Sequence, residues 1–207
     1  MESFRLILAS ASPRRRELLG LLGLPFHVEP SRFEEPAPPV EPVSLPELVN
    51  NLAIAKAREV AERLAPTEDG FVIGADTLVV SDSEVGIPMG KPRDEDDAHR
   101  MLTQLSGRTH RVYTGVALIR IRAGTAHPPV SVAVCTRVRF RQLTPAMIAA
   151  YVATGEPMDK AGAYGAQGYA APFIEWFDGD FFNVVGLPLC TLGQMLEAQG
   201  FDWTARP

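Results

Sequence analysis

The chain of 207 residues carries 20 lysines and arginines against 25 aspartates and glutamates, which gives a net charge of −5 at pH 7. This length suits one large domain or two tightly joined lobes, and it can bury a core without disulfide bonds. The acidic balance argues against a general nucleic-acid-binding protein, and no apolar run approaches the roughly 18 residues of a membrane span. Because Cys135 and Cys190 are too few for a disulfide scaffold and no signal-peptide layout opens the chain, we expect a soluble, cytoplasmic protein.

The first half of the sequence predicts two strands and three helices. In chain order these are a strand over 4–9, a helix begun by Ser12-Pro13 and closed by Gly23, a helix over 45–64, a strand over 71–80 interrupted by Gly74 and Asp76, and a helix over 94–105. Between the first two helices, residues 36–46 hold five prolines, which predicts a stiff, extended connector.

The second half predicts a hairpin, two more helices and one more strand. Its elements are a strand over 112–122, an alternating strand over 130–140, a helix from Thr144-Pro145 to Gly155, a strand over 173–177 and a helix over 189–199. The stretch 155–172 is rich in Gly and Ala, and we interpret it as a functional loop rather than a packed element. The order of strands and helices predicts a mixed α/β protein.

The turn before the first helix has the composition of an anion site. It reads Ser10-Ala11-Ser12-Pro13-Arg14-Arg15-Arg16. Free backbone N–H groups, two hydroxyls and Arg14 or Arg15 would suit phosphate oxygens at a helix N-terminus. The alternative is a capped helix with a solvated basic first turn. Because basic residues at this end oppose the helix dipole, three together favour a bound anion.

Lys56 and Asp76 each interrupt an apolar pattern. Lys56 lies one helical turn from Leu52 and Val60 on the apolar stripe of the helix over 45–64, so it either extends to the edge of that face or points into a site. Asp76 stands inside a strand that otherwise reads as buried, where a carboxylate is costly unless it is paired, binds metal or is functional. We interpret Asp76 as a metal ligand or a general base for water; a capped strand end is the alternative.

Two further segments contribute polar candidates. Gly86 to Pro92 resembles a phosphate-binding Walker loop but has three residues between its glycines and no Ser or Thr after Lys91, so it is not one, although Lys91 could still reach a phosphate. The stretch 155–168 offers Asp159, Lys160 and Gln167 as a metal ligand, a phosphate partner and a base-reading amide. Glu35 could add a carboxylate.

Other catalytic chemistries have no sequence support. The four histidines show no metal-ligand spacing, and neither a CxxC nor a G-x-S-x-G motif is present, so zinc and serine-hydrolase chemistry are not indicated. The remaining combination, arginines and lysines for an oxyanion with carboxylates for a divalent metal, is typical of enzymes that act on nucleotides or other phosphate esters.

Together these motifs resemble the Maf nucleotide pyrophosphatases. The resemblance runs from about residue 5 to 198 and rests on Leu8 to Arg15, Ile73 to Thr77, Gly90-Lys91-Pro92, Leu105-Ser106-Gly107 with His110, Tyr113 to Val116, Gly155 to Gly168 and Asn183 to Pro188. Two positions depart from the family pattern: Gly90 replaces the usual Glu, and Ala166 replaces a larger aliphatic residue.

The resemblance implies a single domain over 1–207 with an elongated mixed β-sheet, flanking helices and two lobes around a cleft, related to the inosine triphosphate pyrophosphatases. It also implies cleavage of a nucleoside triphosphate between the α and β phosphates with Mg²⁺ or Mn²⁺. Asp76 falls on the family's catalytic position. Arg14, Thr77 and Gln167 fall on its specificity positions and match the branch that acts on dTTP and UTP.

The remaining cleft positions complete the expected site. Ser10, Arg15, Lys56, Lys91 and Lys160 would bind phosphates, while Glu35, Asp76 and Asp159 would lie near the metal. The expected partner is the nucleotide, with no nucleic acid and no membrane, and the family suggests a homodimer. Two alternatives stay open: a pyrophosphatase for 7-methyl-GTP or another modified nucleotide, and a nucleotide-sensing regulator of septum formation without turnover.

Overall fold

A computed structural model of the chain describes residues 5–37 and 39–201. The predicted first strand begins at Phe4 and the predicted connector contains Pro38, and both of these residues lie outside the described ranges. Among the described residues, no helix combines the length and the apolar composition that crossing a membrane requires.

The central sheet is mixed, as the sequence predicts. It runs in the order β2-β1-β4-β6-β8-β9, with the short β7 paired to β6, and a separate ribbon joins β3 to β5. β1 pairs in parallel with β2 and β4, whereas the β4-β6-β8-β9 pairs are antiparallel. The strands are β1 (Arg5–Leu8), β2 (Phe26–Val28), β3 (Val43–Ser44), β4 (Gly70–Ser81), β5 (Val85–Gly86), β6 (Thr109–Arg122), β7 (Thr125–Ala126), β8 (Val130–Phe140) and β9 (Ile174–Asp178).

In the part of the chain that the structure describes, six α-helices flank the sheet. They are α1 (Pro13–Gly20), α2 (Leu45–Leu64), α3 (Glu95–Leu105), α4 (Pro145–Val152), α5 (Phe181–Val185) and α6 (Leu189–Ala198). Several begin where the sequence supplies a cap: Ser12, Asp94 and Thr144 each accept a backbone N–H of the first turn. The predicted helices and long strands are therefore confirmed, because their capping residues and apolar spacing encode them locally.

Some boundaries differ from the prediction. α1 ends at Gly20 rather than at Gly23, and α4 ends at Val152 rather than at Gly155; both of those later glycines have positive φ in the turns that follow. Gly74 and Asp76 do not interrupt β4, which continues to Ser81. Four strands of two or three residues and the five-residue α5 were not predicted, since so few residues carry no periodic signal.

The stretch 155–172 is packed, which corrects its interpretation as a loop. It forms 3₁₀ turns over Glu156–Asp159, Ala161–Ala163 and Ala171–Phe173. Ala163, Tyr164 and Ala170 are buried in the same cluster as Phe140 of β8. Small residues allow the chain to fold tightly against neighbouring elements, so a Gly- and Ala-rich composition here reflects close packing rather than mobility.

The core divides at a cleft into two lobes. In the β1 lobe, Leu8 and Phe71 pack with α1 and α6 on one face of the sheet, and Ile7 and Val72 pack with α2 on the other. In the β9 lobe, α3, α4 and the stretch 155–173 pack around Phe140. β4 and β6 are 12 and 14 residues long and contribute to both lobes. The long strands therefore hold the cleft walls in a fixed relation.

Two glycines bring α2 unusually close to the sheet. A Cβ added to Gly74 of β4 would stand 2.3 Å from the Ala53 carbonyl oxygen, and one added to Gly115 of β6 would stand 2.3 Å from that of Val49. No side chain fits in either place, so the helix backbone lies directly on the strands. This close approach determines how far a side chain on α2 must reach to meet one on β4.

Candidate active site

A cleft of about 770 Å³ lies between the two lobes. This volume is within the range of small-molecule sites. All the residues that the sequence and the resemblance single out line it: Ser10, Arg14, Arg15, Glu35, Lys56, Asp76, Thr77, Lys91, Asp159, Lys160 and Gln167. They come from the β1–α1 turn with the start of α1, the segment just before the proline-rich connector, α2, β4, the segment after β5 and the stretch 155–168. The fold thus assembles one polar cavity from six separate parts of the chain.

Lys56 lies between two carboxylates in this cleft. Its Nζ atom is 2.5 Å from Asp76 Oδ1 and 2.6 Å from Glu35 Oε1. The Asp76 side chain is only 9% exposed and that of Lys56 only 13%. The sequence left open whether Lys56 extends to the edge of its helix face; the structure directs it into the cleft. Asp76 Oδ1 is engaged by the ammonium, whereas Oδ2 accepts no hydrogen bond from the residues that the structure describes.

The charge around Glu35 keeps it ionised. Burial by itself would raise the pKa of this carboxyl group, but the hydrogen bond from Lys56 and the nearby charges of Lys91 and Arg15 outweigh burial and lower the pKa below its ordinary value. The Glu35 side chain is 56% exposed. An ionised, accessible carboxylate next to the buried Asp76 is suited to hold a cation brought in with a substrate.

Arg15 is fixed by hydrogen bonds to three segments. Its Nη1 donates to Ser10 Oγ at 3.2 Å, its Nη2 to Thr77 Oγ1 at 3.1 Å and its Nε to the Gly186 carbonyl at 2.9 Å. Burial lowers the pKa of Arg15, an effect that the charges of Asp76 and Glu35 partly oppose. A guanidinium has five N–H donors, so two stay available for an anion in the cleft.

A second cluster of charged side chains surrounds Asp159. The Asp159 carboxylate is 3.2 Å from Arg14 Nη1 and 2.6 Å from Lys160 Nζ, and Lys160 also donates to the Glu156 carbonyl at 2.6 Å. Burial tends to raise the pKa of Asp159, but the hydrogen bonds from Lys160 and Arg14 bring it below its ordinary value. Because Arg14 is on α1 and Lys160 belongs to the β9 lobe, this group bridges the two walls of the cleft.

Lys91 and Gln167 face the cleft without protein partners. Both side chains line it and are exposed, and neither makes a hydrogen bond to the described ranges 5–37 and 39–201. The ammonium group of Lys91 has three donors, and the carboxamide of Gln167 has both donors and an acceptor. These two side chains can therefore bind a ligand without first breaking an internal hydrogen bond.

Glu156, which the sequence did not single out, holds the segment that carries Gln167. Its carboxylate accepts hydrogen bonds from the Tyr151 hydroxyl at 2.9 Å and from the Tyr169 backbone N–H at 2.9 Å. A Cβ on Gly168 would stand 2.3 Å from a Glu156 carboxylate oxygen, so only glycine permits this approach. This contact could not be predicted from the sequence, since it depends on the turns that connect Glu156 to Gly168.

The predicted metal ligands do not form one group of three. Among the described residues, no cluster of three or more His, Cys, Asp or Glu side chains is placed to hold a metal ion. Glu35 and Asp76 meet at Lys56, but Asp159 is engaged by Arg14 and Lys160. Mg²⁺ typically takes one or two carboxylates, with substrate phosphates and waters completing its shell. The Glu35–Asp76 pair fits that pattern, and Mn²⁺ accepts the same oxygen donors.

Known proteins resemble this chain over nearly its whole length. The sequence matches the family described as Maf-like protein over residues 5–199. A dTTP/UTP pyrophosphatase of Moorella thermoacetica is 52% identical over 202 residues, 96% of each chain. One of Thermococcus onnurineus is 50% identical over 192 residues, which span 93% of this chain and 96% of its own.

A solved structure shares the fold at low sequence identity. The Ham1 protein of Staphylococcus aureus superposes with a TM-score of 0.51 and 13% identity, covering 94% of this chain and 99% of its own. At that identity the likeness concerns the fold alone, and it confirms the predicted mixed sheet with flanking helices. The family assignment rests on the match over residues 5–199 and on relatives that share about half of their sequence with this chain. The chain belongs to the Maf family.

Proposed function

We propose that this protein hydrolyses nucleoside triphosphates, preferentially dTTP and UTP, between the α and β phosphates to give the monophosphate and pyrophosphate. The observation that carries this proposal is the Lys56–Asp76 ion pair, 2.5 Å long and largely buried, in a cleft that also holds Arg15, Lys91 and Lys160. Relatives about half identical in sequence that are named dTTP/UTP pyrophosphatase support the choice of substrate.

Asp76 is the group we assign to water activation. Its Oδ1 is held by Lys56, and its Oδ2 has no hydrogen bond within the described residues, so Oδ2 can accept a proton from a water molecule in the cleft. The water oxygen bonds to the α phosphorus while the bond from that phosphorus to the bridging oxygen breaks. One water proton passes to Asp76, and the bridging oxygen leaves with the pyrophosphate. Lys56 keeps the carboxylate oriented while this occurs.

A divalent metal belongs to the same proposal. Glu35 and Asp76 would hold Mg²⁺ or Mn²⁺ together with phosphate oxygens of the substrate. When bound, the cation supplies charge neutralisation at the phosphate oxygens. Asp159 is not part of this donor set, because Arg14 and Lys160 engage its carboxylate.

The basic residues of the cleft stabilise the charge that moves onto the leaving pyrophosphate. Arg15 offers two free N–H donors from a position fixed by three hydrogen bonds, and Ser10 adds a hydroxyl next to it. Lys91 has no hydrogen-bond partner in the described residues and Lys160 is held next to Asp159, and both lysines add positive charge to the cleft that Arg15 lines. Donors already in place before the reaction need no reorganisation as charge develops.

Gln167 is the residue we assign to the base. Its carboxamide makes no hydrogen bond within the described residues and carries both a donor and an acceptor, which match the carbonyl and N3–H edge of uracil and thymine. A site that pairs these groups penalises a base that would leave them unpaired. Arg14 and Thr77 complete the specificity positions that the family resemblance implies.

Location and assembly are also part of the proposal. We place the protein in the cytoplasm as a homodimer. The two cysteines, Cys135 and Cys190, are free thiols in the structure, which is compatible with a reducing compartment. Sedimentation at several protein concentrations tests the dimer.

A substrate panel tests the function. Purified protein is incubated with Mg²⁺ or Mn²⁺ and dTTP, UTP, CTP, dATP, GTP or 7-methyl-GTP, and pyrophosphate and orthophosphate are measured separately. Pyrophosphate released mainly from dTTP and UTP is the expected result. Pyrophosphate mainly from 7-methyl-GTP would keep the reaction and refute the base assignment, while nucleotide binding without turnover would favour a sensor.

A further inference from the structure

The hydrogen bonds behind Arg15 have a defined direction. Thr114 of β6 is fully buried, and its Oγ1 lies 2.8 Å from the backbone carbonyl oxygen of Asn183. A carbonyl can only accept, so the single proton of the Thr114 hydroxyl points at Asn183. The Thr114 oxygen is thereby left as an acceptor for its other neighbour.

That neighbour is Thr77, which lies opposite Thr114 in the β4–β6 register. The two hydroxyl oxygens are 3.0 Å apart, and because the Thr114 proton is already used, Thr77 must be the donor in this contact. Arg15 Nη2 donates to the same Thr77 oxygen at 3.1 Å. The Thr77 hydroxyl therefore has no proton left for a substrate, and one of its lone pairs is occupied by the guanidinium.

The acceptor at the end of this chain is rigid. The Asn183 side chain is fully buried, and its Nδ2 donates to the Val112 carbonyl and to Thr136 Oγ1, both at 3.0 Å. Its backbone lies in the first turn of α5, where the N–H groups of Phe182 and Asn183 bond to the Asp180 carboxylate. The Asn183 carbonyl thus fixes Thr114, Thr114 orients the Thr77 hydroxyl, and Thr77 presents its oxygen to Arg15.

We propose that Thr114 is a positioning residue of the active site, which acts through Thr77 to fix the Arg15 guanidinium against the substrate phosphates. On this view Thr77 influences turnover through Arg15, and the second lone pair of its hydroxyl oxygen is what it can still offer at its specificity position. The inference rests on the proposed function for the identity of the substrate, but the assignment of Thr114 concerns the binding of any polyphosphate in the cleft.

Two matched variants test it. Thr114→Val removes the hydroxyl at nearly constant volume. Ser106→Ala is the control: the partly buried Ser106 hydroxyl accepts from the Leu143 N–H at 2.8 Å and donates to the Leu143 carbonyl at 3.4 Å, and it makes no contact with Arg15, Thr77 or Asn183. Each variant loses the two hydrogen bonds of its hydroxyl, so thermal unfolding is measured for both. Thr114→Val is expected to lower kcat on dTTP about tenfold relative to Ser106→Ala. Thr114→Ser, which keeps the hydroxyl, should restore turnover.

Two comparisons separate positioning from a purely structural role. The ratio of kcat/KM for UTP to that for CTP should stay constant in Thr114→Val, because the buried Thr114 does not touch the base. The Thr114→Val/Thr77→Val double variant should turn over no more slowly than the slower of the two single variants, since both changes interrupt the same chain of hydrogen bonds. Turnover of Thr114→Val equal to that of Ser106→Ala, or a changed UTP/CTP ratio in Thr114→Val, would overturn the proposal.

Binding of inorganic triphosphate separates this inference from the proposed function. Calorimetry on the same variants needs no turnover, and Thr114→Val should bind triphosphate about tenfold more weakly than Ser106→Ala. A wild-type protein that binds triphosphate but hydrolyses no nucleotide would refute the proposed function, while the role of Thr114 would still be decided by this comparison. Equal affinities of the two variants, or no triphosphate binding by the wild type, would overturn the role of Thr114.

Discussion

Gly74→Ala should reduce turnover by displacing Lys56 from Asp76, although residue 74 contacts no substrate. The new methyl carbon would stand 2.3 Å from the Ala53 carbonyl oxygen and 2.8 Å from the Ala57 Cβ. Ala53 and Ala57 flank Lys56 on α2. An ordinary carbon–oxygen contact is about 3.3 Å or longer, so the helix must move away from β4 by on the order of 1 Å.

That displacement sets the size of the effect. Lys56 Nζ is 2.5 Å from Asp76 Oδ1, and a shift of about 1 Å would break this contact. Misplacement of a catalytic group by about 1 Å can lower the rate about 100-fold. Overpacking in a core costs about 1–3 kcal/mol of unfolding free energy, which corresponds to a loss of several degrees in Tm for a chain of this size.

The assay is pyrophosphate release from dTTP, measured well below the Tm of the variant so that unfolding does not contribute. Gly20→Ala is the control, because a Cβ at Gly20 meets no atom within 4 Å and that residue lies at the end of α1. We expect Gly20→Ala to match the wild type. Turnover of Gly74→Ala within about threefold of the wild type would refute the argument that helix–strand contact positions Lys56.

Three further predictions follow from the site and the core. Asp76→Asn should lower turnover about 100-fold or more in steady-state kinetics, and a loss of only a few-fold would exclude Asp76 as the base. Gln167→Glu should shift kcat/KM away from UTP by about tenfold; an unchanged ranking across the nucleotide panel would contradict its assignment to the base. Burial lowers the pKa of His110 from 6.5 to about 3, so the unfolded chain binds the extra proton between these values. The unfolding free energy should therefore fall by about 1.4 kcal/mol per pH unit below pH 6. Chemical denaturation of His110→Gln should lack this slope, and an equal slope would place the titration elsewhere.

Much of the fold could be predicted because it is encoded locally. Ser12, Asp94 and Thr144 mark the starts of helices. The alternation of apolar residues in β8 and the apolar stripe of α2 can be recognised from the order of residues alone. The short strands were not predicted, since β3 and β5 form only by pairing with each other. The stretch 155–172 was misinterpreted because glycine and alanine suit both loose loops and tight packing, and only the neighbours distinguish the two.

The candidate site divides in the same way. Residue types and motif order were enough to choose Lys56, Asp76 and Gln167, because an ionisable group in an apolar pattern, or an amide in a glycine-rich stretch, is conspicuous in one dimension. The hydrogen bonds that hold these side chains in place could not be predicted in this way. Arg15 is bound to Thr77 and Gly186 across sequence separations of 62 and 171 residues. No local pattern records such contacts.

The sequence by itself determined the acidic, mixed α/β character of the chain, its long helices and strands, and a set of polar residues that line the cleft. Tertiary structure alone decided which charges meet. It paired Asp159 with Arg14 and Lys160 rather than with Glu35 and Asp76, and it placed a buried threonine, Thr114, behind the guanidinium. The physical reason is that capping and periodicity act over a few residues, whereas ion pairs and the direction of a hydroxyl proton depend on groups that only the folded sheet brings together.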